Sequence, residues 1–97
     1  MHDLKGIQRD LLFVVAGMNS PSGQDVKKEL QDSQGRTILP GRLYANLDAL
    51  VEMGLVEKSK YDGRTNQYTV TRRGRQEIQA RYEWQTEYME PEQELAI

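Results

Sequence analysis

The order of elements written into residues 40 to 74 constrains this chain more than any other feature. Pro40 suits the first turn of a helix, where its missing N–H is not needed. Leu43, Leu47, Leu50 and Val51 then follow the i, i+4, i+7, i+8 pattern of one buried helix face. Gly54 predicts a stop, because a left-handed residue there costs glycine nothing. Residues 55–61 and 66–70 read as two strands around Asp62-Gly63-Arg64-Thr65, and Asp-Gly is among the stronger short hairpin signals. Tyr68 and Val70 would share a face of the return strand, and Thr71 is placed to cap a last helix running from Arg72 to about Met89.

The residues upstream complete the pattern. Ile7, Leu11, Val14 and Val15, with Leu12, Phe13 and Ala16 between them, predict a first helix that stops near Gly17. Its apolar stripe is broad enough to serve a core on one side and a partner on the other. Ser22 and Asp25 have the spacing of a capping box, and Val26 and Leu30 anchor the short second helix behind it. The fold class is therefore α+β, mostly α: a winged helix-turn-helix of three helices and a two-stranded wing, with a C-terminal helix. Residues 1–71 would form that domain, residues 72–89 a dimerisation helix and residues 90–97 a flexible acidic tail. Ninety-seven residues allow one domain at most.

Net charge is −2, which by itself disfavours nucleic acid, but the distribution is uneven. Residues 36–75 hold eight Lys/Arg (Arg36, Arg42, Lys58, Lys60, Arg64, Arg72, Arg73 and Arg75) against four acids. Residues 76–97 hold Arg81 against six glutamates. A basic patch in an acidic frame is what phosphates feel. The outward strip of the third helix carries Gly41, Arg42, Ala45 and Ala49, with Tyr44 and Asn46 flanking it. Small residues let such a helix sit close to a grooved surface, leaving Arg42 free to reach a base edge or a phosphate. Lys58, Lys60, Arg64 and Asn66 would put positive and polar groups on the wing for phosphate or minor-groove contact. Arg72 and Arg73 crowd the positive end of the last helix, an arrangement that a nearby phosphate would relieve.

The last helix also carries Ile78, Tyr82, Trp84, Tyr88 and Met89 at loose three- and four-residue spacings. That is too much apolar surface to leave in water, and pairing with the first helix of a second copy through Leu11, Val14 and Val15 is the simplest way to cover it.

These residues resemble the PadR family of winged-helix transcription regulators. The run Gly41-Arg42-Leu43-Tyr44, Leu47, Leu50, Gly54-Leu55-Val56 is similar to that family's recognition-helix signature. Arg64, Tyr68, Val70-Thr71 and Gly74 are similar to its wing and its entry to the last helix, and Gly23 ahead of Val26 and Leu30 fits its second helix. The resemblance covers about residues 7 to 80. It implies a homodimer binding palindromic double-stranded DNA, usually as a repressor, with Tyr44 facing DNA. The acidic background, the Glu-rich tail and the arginines after Thr71 further resemble small regulators of salt-loving archaea and their viruses. Counterion release falls with salt, so binding there would lean on groove fit and base contacts.

The DNA-facing set expected from the sequence is thus Arg36, Pro40, Gly41, Arg42, Tyr44, Ala45, Asn46, Lys58, Lys60, Arg64, Asn66, Arg72 and Arg73. Two other readings stay open. Some members of the family bind flat aromatic molecules between subunits, and Tyr82, Trp84 and Tyr88 could line such an effector pocket. A winged helix can also serve protein contact alone. An enzyme is not expected: His2 is the only histidine, there is no cysteine, and no phosphate-cradling glycine loop or metal-spaced cluster appears. No cofactor is implied. Asp48 and Glu52, four apart, are expected to be solvated. The N-terminus lacks a signal-peptide pattern and no apolar run approaches the ~18 residues of a membrane span, so the expected location is cytoplasmic.

Overall fold

The computed structural model describes residues 1–89, and the expected acidic tail lies outside them. Four helices and one hairpin follow in order: α1 (Gly6–Gly17), α2 (Gly23–Gln34), α3 (Pro40–Glu52), β1 (Val56–Lys60), β2 (Asn66–Val70) and α4 (Arg72–Thr86). The strands pair antiparallel, with Val56 opposite Val70 and Lys60 opposite Asn66.

Local signals account for the boundaries. Ser22 Oγ accepts from Asp25 N at 3.1 Å while Asp25 Oδ2 accepts from Ser22 N at 3.1 Å, the reciprocal capping box read in the sequence. Gly35 (φ 65°) closes α2, and Gly54 (φ 76°) follows α3 in the left-handed conformation that glycine tolerates. Thr71 does two things at once. Its hydroxyl accepts from Gly74 N at 3.0 Å, capping α4, and donates to Gly54 O at 2.7 Å. The end of α3 and the start of α4 are joined through that one side chain. Gly74 lets α4 approach the wing, because a β-carbon there would collide with the Leu55 carbonyl and lie 2.6 Å from Val70 Cγ2.

Two boundaries differ from the sequence reading. The first strand ends at Lys60 rather than at Tyr61, so the loop is one residue longer than the Asp62–Thr65 turn read in the sequence, and Gly63 is not among the glycines of positive φ. The five-residue loop, residues 61–65, is closed by Tyr61 N donating to Thr65 O at 2.8 Å. Asp62 Oδ1 accepts from Arg64 N and Thr65 N, both at 2.8 Å, which also holds that carboxyl below the ordinary aspartate range. The last helix ends at Thr86, so Tyr88 and Met89 lie beyond it.

The core lies between α1, α2, α3 and the inner face of the wing. Leu11, Leu12, Val26, Leu43, Leu47, Leu50, Leu55 and Tyr68 are all fully buried or nearly so. Tyr68 and Val70 face inward and Thr69 outward, as the alternation requires. The wing's return strand is further held at its base, where Tyr68 N donates to Pro21 O at 2.9 Å. No helix among the described residues is long and apolar enough to cross a membrane.

Candidate nucleic-acid interface

The outer strip of α3 is built as its spacing suggested. Pro40, Gly41, Arg42 and Ala45 are exposed, while Leu43, Leu47 and Leu50 hold the opposite face in the core. A β-carbon at Gly41 would meet nothing within 4 Å, so the fold does not require glycine there. What glycine leaves is open surface beside Arg42. Arg36 and Arg42 border one groove between the start of α1 and the start of α3, with Lys5 on its far side. Arg36 Nε donates to Gln34 Oε1 at 2.9 Å, which fixes the arginine's stem and leaves its outer nitrogens toward solvent.

A second groove runs between the first turn of α2 and the base of the wing, lined by Gly23, Gln24, Tyr44, Arg64, Asn66 and Tyr68. The Tyr44 ring is half-buried and rests on the Gly23 backbone. Lys60 and Arg64 project from the wing into solvent. Lys58 is also exposed, but its Nζ reaches Asp48 Oδ1 at 3.4 Å, tying β1 to α3. Asp48 and Glu52 are both exposed, and Asp48 orients that lysine.

Three expected site residues fall elsewhere. The Asn46 amide is not free to reach outward: its Nδ2 donates to Arg42 O at 2.8 Å and its Oδ1 accepts from Gln8 Nε2 at 3.1 Å. Arg73 is exposed and lies against Gly54, its Nη1 3.2 Å from where a β-carbon would stand, just past the end of α3. The negative end of the α3 dipole lies at that end of the helix and favours a cation beside it. Arg72 and Arg73 thus sit at the opposite end of α3 from Arg42, about 15–18 Å away along its axis.

The surface expected to pair with a second copy also needs correction. Leu11 and Val15 are 0% and 1% exposed and belong to the protomer's own core, so they have no surface to offer. On α1 the exposed apolar residue is Phe13, with Val14 half-buried beside it. Ile78 packs partly on the core. Tyr82, Trp84, Tyr88 and Met89 are 48–61% exposed, and the Trp84 and Tyr88 rings meet edge to face with centroids 5.4 Å apart.

The sequence reading missed one polar cluster. Glu77, buried on α4, accepts from the His2 backbone N–H at 3.0 Å, lies 2.8 Å from His2 Nδ1 and accepts from Arg81 Nε at 2.6 Å; Arg81 also donates to His2 O. Burial pushes the Glu77 carboxyl up, but the His2 and Arg81 hydrogen bonds together outweigh it and hold its pKa below the ordinary 4.5. The i, i+4 spacing of Glu77 and Arg81 was the available signal. What it could not show is that a terminal residue closes the cluster.

Three helices, a two-stranded wing and a third helix whose exposed strip carries Arg42 among small residues define a winged helix-turn-helix protein. The chain belongs to the PadR-like family of transcriptional regulators, whose family model matches residues 11–80. It is 40% identical to RosR of H. salinarum, with a TM-score of 0.84 over 90% of this chain and 78% of that one. A complex structure of hsRosR-S1 is similar at 41% identity and a TM-score of 0.84, over 89% of this chain and 76% of the other. Bacillus subtilis PadR in complex with operator DNA shares the fold at 20% identity and a TM-score of 0.67, over 78% of this chain and 47% of that one. No curated protein matches the chain.

Proposed function

We propose that this chain is a homodimeric repressor that reads a palindromic operator in double-stranded DNA. The observation that carries this is Arg42: exposed, in the first turn of α3, between Gly41 and Ala45, whose small side chains leave room for a groove wall. B. subtilis PadR, similar in fold, is described in complex with operator DNA. A major groove about 12 Å wide admits a helix. With α3 in it, Arg42 meets a guanine edge, and Tyr44, propped on Gly23, meets the sugar-phosphate backbone. Arg36, Lys60 and Arg64 contact flanking phosphates, and Lys58 divides its charge between Asp48 and the DNA. Such contacts position the protein, while base contacts specify the site. Repression asks nothing beyond occupancy of that site. The reading places the protein in the cytoplasm with its DNA.

Residues 1–71 form the DNA-reading unit in this scheme and residues 72–89 the pairing unit. Tyr82, Trp84, Tyr88 and Met89 from α4 and the residues after it, with Phe13 and Val14 from α1, supply the pairing face. A two-fold axis there sets two α3 helices about 34 Å apart, one turn of DNA. Sedimentation of the free protein and footprinting on its own upstream DNA test this together. A dimer protecting two symmetric half-sites one turn apart is expected; a monomer, or a single asymmetric footprint, contradicts it.

A further inference from the structure

We propose that Gln8 on α1 is a specificity-positioning residue, which pins the Asn46 amide against the body of the domain and so keeps it off the bases. This rests on the DNA-reading role of α3 proposed above. Gln8 is only 5% exposed, and among the described residues the other buried polar side chains, Glu77 and Arg81, are occupied with each other and with His2. Gln8 spends both ends of its amide on one chain of hydrogen bonds. Lys5 N donates to Gln8 Oε1 at 3.0 Å, Gln8 Nε2 donates to Asn46 Oδ1 at 3.1 Å, and Asn46 Nδ2 donates to Arg42 O at 2.8 Å.

The polarity of this chain is not free. It begins at a backbone N–H, which only donates, and ends at a backbone carbonyl, which only accepts. Each amide between them has one allowed orientation. Asn46 must therefore present its oxygen to α1 and its nitrogen to Arg42's own carbonyl, one helical turn back. Left unpinned, an asparagine on the flank of a recognition helix is the side chain that pairs with both N6 and N7 of adenine. Pinned, each group already carries one hydrogen bond, and the amide is held toward α1 and Arg42 O rather than free to swing to a base. Gln8 thus decides how many side chains of α3 read sequence, although it lies across the α1–α3 packing and faces no DNA.

The chemistry of position 8 supplies the test. Gln8→Glu keeps an oxygen to accept from Lys5 N, so the start of α1 stays capped, but has no N–H for Asn46 Oδ1. Gln8→Met loses both bonds. Binding selection from a randomised duplex library should show both variants gaining a preference for adenine at one position per half-site, by about fivefold or more. Asn46→Ala in the Gln8→Glu background should erase that gain. An unchanged base preference in Gln8→Glu, or a change confined to Gln8→Met, would reduce Gln8 to a helix cap and overturn the assignment. One further measurement separates this from the DNA reading. In the DNA-free wild type, the Asn46 side-chain amide protons should exchange slowly in an NMR experiment. Fast exchange overturns the pin alone, whereas a wild type with no sequence preference in the selection overturns the DNA reading and the pin with it.

Discussion

The Gly23 backbone, in the first turn of α2, is the seat of the Tyr44 ring: a β-carbon at position 23 would fall 2.7 Å from the tyrosine hydroxyl oxygen and 2.9 Å from Cζ. The atoms it would strike are the far end of a half-exposed side chain, which has somewhere to go. Gly23→Ala should therefore displace the ring without unfolding the protein, and alanine's better helix propensity offsets what strain remains. DNA affinity should fall several-fold with the melting temperature nearly unchanged. Parallel binding and melting curves check this; a large drop in melting temperature would mean the tyrosine is locked in place.

Tyr68 presents the reverse case. Its hydroxyl is buried without a hydrogen-bond partner among the described residues, and burial, with Asp48 and Tyr44 nearby, raises its pKa above the ordinary 10. It stays protonated at neutral pH, a donor with nothing to donate to. A buried unsatisfied group costs roughly 1–3 kcal/mol, so Tyr68→Phe should leave stability unchanged or raise it by up to about that much. Chemical denaturation of the two proteins decides; a clear loss of stability would show that the hydroxyl does have a partner in solution.

The Glu77 cluster predicts a particular response to acid. Glu77's pKa is depressed in the folded protein, so its contribution to stability is present above the unfolded value of about 4.5 and is lost as pH falls through the lower, folded value. Melting temperature should drop more steeply below pH 4.5 in the wild type than in Glu77→Gln, which starts lower at neutral pH. Parallel slopes in the two proteins would contradict this.

Much of this architecture was legible because it rests on local rules. The Ser22–Asp25 box, the Gly54 stop, the Thr71 cap and the alternation of Tyr68 and Val70 each need only near neighbours in the chain. Leu11 and Val15 were assigned to a partner because a helix hydrophobic on most of its surface does not say which part faces its own core. The Asp62-Gly63 pair marked the hairpin and its loop to within one residue, Tyr61, while the Asp62 carboxylate that organises the loop backbone acts only over near neighbours. Asn46 was read outward because its partner Gln8 is distant in sequence and meets it only in the fold.

The exposed aromatic residues of α4 test the proposed pairing. Trp84 is 48% exposed and packs edge to face on Tyr88. Placing a charge in the proposed seam, as in Trp84→Glu, should convert a dimer to monomers in sedimentation and weaken operator binding tenfold or more, because one half-site alone must then supply the affinity. Far-UV circular dichroism should stay native. A Trp84→Glu protein that remains dimeric would move the interface elsewhere.

Arg42 carries the central claim, and one titration tests it most directly. Fluorescence anisotropy would compare wild type and Arg42→Ala on a duplex from the gene's own upstream region and on a scrambled duplex, across a salt series. If Arg42 reads a guanine, the wild type prefers the native duplex at every salt concentration, and Arg42→Ala loses roughly 1–3 kcal/mol on that duplex and little on the scrambled one. Equal loss on both duplexes, with a shallower salt dependence, would make Arg42 a phosphate clamp. No binding by the wild type at low salt would contradict DNA recognition altogether.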